Sequence, residues 1–249
     1  MANHLREIWS VAWGDLCFFK HNFLSIMVST IMSPILYLIA FGYGMGQGVV
    51  MDDVPYIAFI IPGIVALSSL NASFSSTATR LNVQRLYYRS FDEMMMCPLR
   101  ISSIVMGKSV LGIIRGLISC LVMFGLGACL TNDLHFSPLF AICLVLSCVT
   151  FSLLGEMAAL LAKSHQSMAT FSSLIILPMT FLCGTFFSVS ILPEIFQYIL
   201  YVIPLTHASG CIRASALGWE FPWISLVVMM AFCIAFYAIN YYLVKTRKI

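Results

Sequence analysis

RLNVQRLYYRSFDEMMMCPLRISSIVMGK, residues 80–108, is the longest polar interruption in an otherwise apolar chain. Arg80, Arg85, Arg89, Arg100 and Lys108 surround Asp92 and Glu93 at its middle. A basic segment between two apolar helices reads as a cytoplasmic loop, because Lys and Arg resist translocation. It is more than a solvated tether. Leu86, Tyr87, Phe91, Met94, Met95 and Met96 alternate with the charges, and Pro98 ends the run. Two readings fit such a segment: a helix that docks into a groove on a soluble partner, or an interfacial helix on the anionic inner leaflet. The first is the working expectation.

The segments on either side fix the class. The chain has 249 residues, 61% of them hydrophobic and 9% charged, with a mean hydropathy of +0.97. Soluble domains carry about 25% charged residues, so an all-α polytopic membrane protein is expected. Six spans are predicted, at 23–43, 56–79, 101–130, 138–162, 168–189 and 223–244, all within one domain covering 1–249. Segment 80–100 is the coupling loop, and 190–222, cut by Pro193, Pro204, Gly210 and Gly218, reads as short outer or re-entrant helices. In 1–22, Leu5, Ile8, Trp9, Ala12, Trp13 and Leu16 form one apolar stripe opposite Arg6, Glu7, Ser10 and Asp15. That pattern predicts an amphipathic helix lying in the membrane surface, with no secretion signal.

Six crossings place both termini on one side. Arg6, Lys20, the central loop, Lys163, Lys245, Arg247 and Lys248 fall there, whereas the opposite loops hold Asp52, Asp53, Asp133, Glu194 and Glu220 with Arg213 as their lone cation. The asymmetry predicts cytoplasmic termini.

Inside the spans the polar residues need an explanation. Ser68, Ser69, Asn71, Ser73, Ser75, Ser76 and Thr77 crowd the second half of the second span. They face helix neighbours or a hydrated path, and Tyr37, Phe41, Phe181, Phe186 and Phe187 are candidate aromatic neighbours. Glu156 lies about 10 Å from the cytoplasmic end of the fourth span, where an unpaired carboxylate costs several kcal/mol. An ion pair with Lys108 or Arg115 is predicted, serving either a helix clamp or a transport path.

Chemistry within the chain finds no support. Gly107-Lys108-Ser109 has Ser102 where a phosphate loop needs its first glycine, and the glycines at 42, 44, 46 and 48 follow a helix rather than a strand. His4, His21, His135, His165 and His207 are scattered, and the nine cysteines form no CxxC. No catalytic, cofactor or metal site is expected, and no nucleic acid partner.

The stretch FDEMMMCPLR (91–100), followed by Gly107-Lys108, resembles the coupling-helix motif of the ABC type-2 exporter permeases. FIIPGI (59–64), FSLLGEMAALLAKS (151–164) and LPMTFLCGTFFSVSILPEIFQYILYVIPLTHASGCIRASALG (177–218) are similar to that family's second, fourth and fifth helices and its C-terminal signature. Met94 to Met96 replace the usual leucines, and Glu156 stands where a neutral residue is usual. The resemblance implies an inner-membrane subunit that pairs with a second copy of itself in the lipid bilayer. It also implies two copies of a separate ABC ATP-binding subunit, which carry ATP and Mg. On that reading Phe91, Met94, Met95 and Pro98 fill the partner groove, while Arg89, Asp92, Glu93 and Arg100 set its register. Ser68, Ser69, Asn71, Ser73, Tyr37 and Phe41 form the candidate path for an amphipathic substrate (drug-like, lipid, or glycolipid and polysaccharide). The rival readings are a secondary transporter or channel acting alone, and a non-transporting scaffold that recruits an ATPase.

Overall fold

The computed structural model describes residues 2–45, 50–51, 54–131, 134–182, 184–185 and 193–248. Its axis is α3 (Tyr56–Leu86). In this helix 89% of the most apolar 18-residue window is buried, against 61% in α6 (Pro138–Leu161) and 28% in α5 (Ile101–Leu130). α5 and α6 lie along α3 and enclose the main core, built around Ile64, Leu67, Phe74, Met123, Phe140 and Phe151. Close approach is made possible by glycine. A Cβ on Gly155 of α6 would sit 2.6 Å from the Phe74 carbonyl oxygen, and one on Gly112 of α5 would collide with Thr77 and Ser152. Small residues that let helix backbones touch are how apolar helices associate where lipid competes equally for their side chains.

At 1.5 Å per residue α3 is ~46 Å long, well beyond a ~30 Å hydrocarbon layer. It runs on through residues 80–86, which the sequence reading assigns to the loop. The reason is that this stretch packs into the bundle: Leu81, Asn82 and Gln84 are buried, and Arg80, Gln84 and Arg85 find partners. After a corner at Arg89, whose φ of 53° is left-handed, the short α4 (Ser90–Met96) leads into α5.

α1 (Ala2–His21) packs on α5. Val11, Ala12, Asp15 and Phe19 are buried, whereas Leu5, Trp9 and Trp13 of the predicted stripe are exposed. The outward stripe suits lipid, and the inward face meets polar residues on α3 and α5. α2 (Phe23–Tyr37) continues as a π-helix over Leu38–Met45, and Val50–Met51 pairs antiparallel with Val54–Pro55 as β1 and β2.

Among the described residues five helices are long and apolar enough to cross a membrane: α2 with its extension to Phe41, α3, α5, α6 and α11 (Trp223–Lys248). The region predicted as the span 168–189 is helical as α7 (His165–Phe171), a π-helical turn (Ser172–Ile176) and α8 (Leu177–Leu182); residues 183 and 186–189 lie outside the described residues. Two short helices precede the last span, α9 (Glu194–Tyr201) and α10 (Pro204–Leu217). α10 is no surface helix, for it is buried almost throughout against α3, α6 and α11. Its Arg213 donates to the Gly184 carbonyl at 2.9 Å and lies 3.9 Å over the Phe59 ring, tying α10 to α3.

Candidate functional site

Three helices meet at Asp15, which is 2% exposed. Arg80 Nε donates to its Oδ1 at 2.9 Å, Gln84 Nε2 to the same oxygen at 2.7 Å, and Lys108 Nζ to Oδ2 at 3.0 Å. Lys108 also donates to Gln84 Oε1 at 2.7 Å, and the Arg80 guanidinium lies 4.1 Å over the Phe18 ring. A buried lysine is tolerable only when its charge is met this fully. This corrects the predicted Lys108–Glu156 ion pair. Sequence reading missed Asp15 by placing it on the solvent side. The available signal was its position one turn after Val11 and Ala12 and one before Phe19, together with Arg80 and Gln84 one turn apart on α3.

Glu156 is fully buried and accepts from Ser109 Oγ at 3.0 Å. A chain of bonds leads away from it across three helices: Ser152 Oγ donates to the Ser109 carbonyl at 2.8 Å and lies 2.8 Å from Thr77 Oγ1. The second Glu156 oxygen, Oε1, has no hydrogen-bond partner among the described residues. Arg115 is not its mate either, for Arg115 Nη2 donates to Thr30 Oγ1 on α2.

The predicted coupling residues divide into two faces. Phe91 is 1% exposed and packs with Leu81, Ile104, Leu153, Leu160 and Val244, and Met94 and Met95 lean half-buried on the same cluster. Phe91 therefore cannot fill a groove on another protein, which corrects that expectation. The exposed surface is instead Tyr87, Tyr88, Arg89, Asp92, Glu93, Met96 and Pro98. Alternation along 86–96 misled because a helix of period 3.6 sends Phe91, Met94 and Met95 to one side. Arg100 is largely exposed, with its Nε 4.0 Å from Glu7 of α1. Glu7 takes Ser103 Oγ at 2.7 Å, and this bond, helped by the Arg100 backbone N–H and charge, holds its carboxyl below the ordinary range. Arg247 donates to the Leu160 carbonyl at 2.7 Å and Arg85 to that of Ala162 at 3.3 Å, so two cations answer the unpaired carbonyls at the end of α6.

Above this end lies a cavity of about 500 Å3 between α2, α3, α5 and the α7–α8 segment. Of the candidate path residues, Asn71 and Tyr37 line it, as do Phe181 and Ser75. Ser68 and Ser69 do not, because their hydroxyls bond back to the Ile64 and Ala66 carbonyls within α3 at 2.8 and 2.7 Å. Ser73 is buried against Gly116, and Phe41 packs half-buried on the core. Phe186 and Phe187 lie outside the described residues. A second cavity of about 360 Å3 continues toward α4 along Thr79, Arg80, Val83 and Tyr88, and the two share Ser75 and Arg115. Asn71, Ser75 and Thr79, each four residues from the next, thus form an open polar strip on a helix otherwise buried over the same stretch.

Polar cavities walled by helices of bilayer-crossing length are the architecture of a membrane permease. The chain belongs to the ABC-2 type transporter family, which it matches over residues 6–217. It is 27% identical over 252 residues to the inner membrane transport permease YadH of Escherichia coli (strain K12), covering 98% of this chain and 95% of that protein. It is also 28% identical over 213 residues to nodulation protein J of Rhizobium meliloti (strain 1021), covering 84% of this chain and 81% of that one.

Proposed function

We propose that the chain is the six-span membrane subunit of an ATP-driven exporter. It works as a homodimer, with two copies of a separate ATP-binding subunit docked on the outward face of α4. Family membership implies an ABC transporter complex with such a subunit, and the relative described as an inner membrane transport permease supports the same membrane here. The α7–α8 segment belongs to the sixth crossing. The basic residues listed above then set both termini in the cytoplasm.

One observation carries the reading. α4 is anchored inward by Phe91 yet presents Asp92, Glu93 and Met96 outward, at the end of the helix that carries the polar strip. ATP-driven approach of the motor subunits would move α4 and, through α3, bias the cavity toward outward opening. The motor can shift that equilibrium only by as much as it prefers one state. An amphipathic substrate suits a wall that pairs Asn71 and Ser75 with Phe181 and Ile176.

The test is ATP-dependent export by the purified complex reconstituted in vesicles. Glu93→Arg and Met96→Asp should insert and dimerise normally but abolish ATP-dependent export. Normal export by both, or export by the chain reconstituted with no ATPase, would overturn the reading.

A further inference from the structure

Arg115 is the residue that the packing leaves unexplained. It stands 14 residues into α5, ~21 Å from the helix start and near the middle of any bilayer the helix crosses. A cation at that depth is costly and normally has a partner. Lys108 has Asp15, and Arg213 has the Phe59 and Gly184 carbonyls. Arg115 has the hydroxyl of Thr30, its Nε has no partner, and it forms no ion pair among the described residues. Nor can a second copy supply the counter-charge at that depth: the acid within the spans, Glu156, is fully buried inside its own protomer.

The surroundings of Arg115 are those of an anion site. It joins the two cavities, and neither is lined by a carboxylate among the described residues. Around it the Asn71 amide and the Ser75 hydroxyl offer donors, while Ser29 and Thr30 add polar lining with their own hydroxyls donated to the Ile26 carbonyl. The rest of the lining is apolar, with Ile176, Leu177 and Phe181 above and Phe19, Ile26 and Leu111 below. A guanidinium among hydroxyls recognises phosphate or carboxylate oxygens through charge-assisted bonds, and the flanking walls accept hydrocarbon.

We propose that Arg115 and the donors around it bind the phosphate or carboxylate head of an anionic amphiphile, whose chain lies along the apolar walls of the two cavities. The proposal rests on the exporter reading and deepens it, for it names the charge of the cargo.

The probe is a matched set of twelve-carbon amphiphiles: dodecyl phosphate, dodecyl maltoside and dodecyltrimethylammonium. Binding is measured to the full chain, with its ATPase subunit, in phosphatidylcholine nanodiscs. Dodecyl phosphate should bind about tenfold more tightly than either other probe, the worth of one well-made charged contact. Arg115→Gln should erase that preference, whereas Arg115→Lys retains most of it. Inorganic phosphate alone should not compete. Competition by added phosphatidylglycerol identifies the amphiphile as a bilayer lipid, and lack of it identifies a cargo from outside the bilayer; the site stands in both cases. No preference for the anion, or a preference that survives Arg115→Gln in a monodisperse protein, overturns the proposal. The two readings fail separately. ATP-driven export of some other cargo with no anion preference sinks this one alone, and tight anion binding that never influences ATP hydrolysis sinks the exporter alone.

Discussion

Asp15 accepts hydrogen bonds from three side chains on two neighbouring helices, and removing it would strand Lys108 in the interior. Breaking one side of a buried pair costs ~3–5 kcal/mol. Asp15→Ala should therefore lower the thermal midpoint in detergent sharply. Adding Lys108→Met should recover part of the loss, because an apolar pair is tolerated where a lone charge is not. An additive double mutant would show that the two residues do not depend on each other. At this scale the sequence was least informative. That Asp15, Arg80 and Lys108 are charged is plain, but which of them meet depends on the rotation of α1, and a polar side opposite an apolar stripe reads as solvent-facing although here it packs on α3 and α5.

At the scale of single elements, α4 has two faces with opposite expected behaviour. Phe91→Ala should destabilise by ~3–5 kcal/mol through loss of a buried aromatic. Met96→Asp, at a side chain that is 88% exposed, should leave the thermal midpoint almost unchanged while disabling the motor contact. Comparing melting with ATPase coupling in the two variants reads both faces at once. Gly155→Val should force α6 away from Phe74 and cost ~1–3 kcal/mol by overpacking. The α1–α5 contact carries a pH signature. Because the Glu7 carboxyl titrates below its ordinary range, its contribution is present above the normal carboxylate range and is lost as pH falls through the depressed value. Distances between labels on α1 and α5 should lengthen in acid, and Glu7→Gln should reduce that response.

The long helices were legible because a charge-free run of about 20 residues has few other fates. α4 was legible as a helix from its acidic start and Pro98 stop, though not which face it would bury. The serine-rich half of α3 marked a helix that lines the cavity, but only some of its polar residues reach it. Composition locates polar groups, but only packing separates Ser68 and Ser69, spent on their own backbone, from Asn71 and Ser75, which open on the cavity.

Over the whole molecule, the walls of the cavity between α2, α3, α5 and the α7–α8 segment differ in build. α3 is α-helical from end to end, while the α7–α8 segment carries a π-helical turn whose Ser172 and Ile176 line the cavity, and α2 passes into a π-helix just beyond its cavity residue Tyr37. Wider turns of this kind interrupt the regular ladder and recur at functional sites. Spin labels on α2 and α8 should separate during the ATP cycle of the reconstituted complex, while a pair on α3 and α6 keeps its distance. Equal displacement of both pairs would rule out this division.

The uninterrupted axis helix has a mechanical corollary. Anchored through Arg213 at one extremity and passing into α4 at the other, it behaves as a stiff strut, so a nanometre-scale shove on the polar extremity arrives at the far one almost undiminished. Compliance is left to the neighbouring walls, and they set how large a molecule can squeeze past.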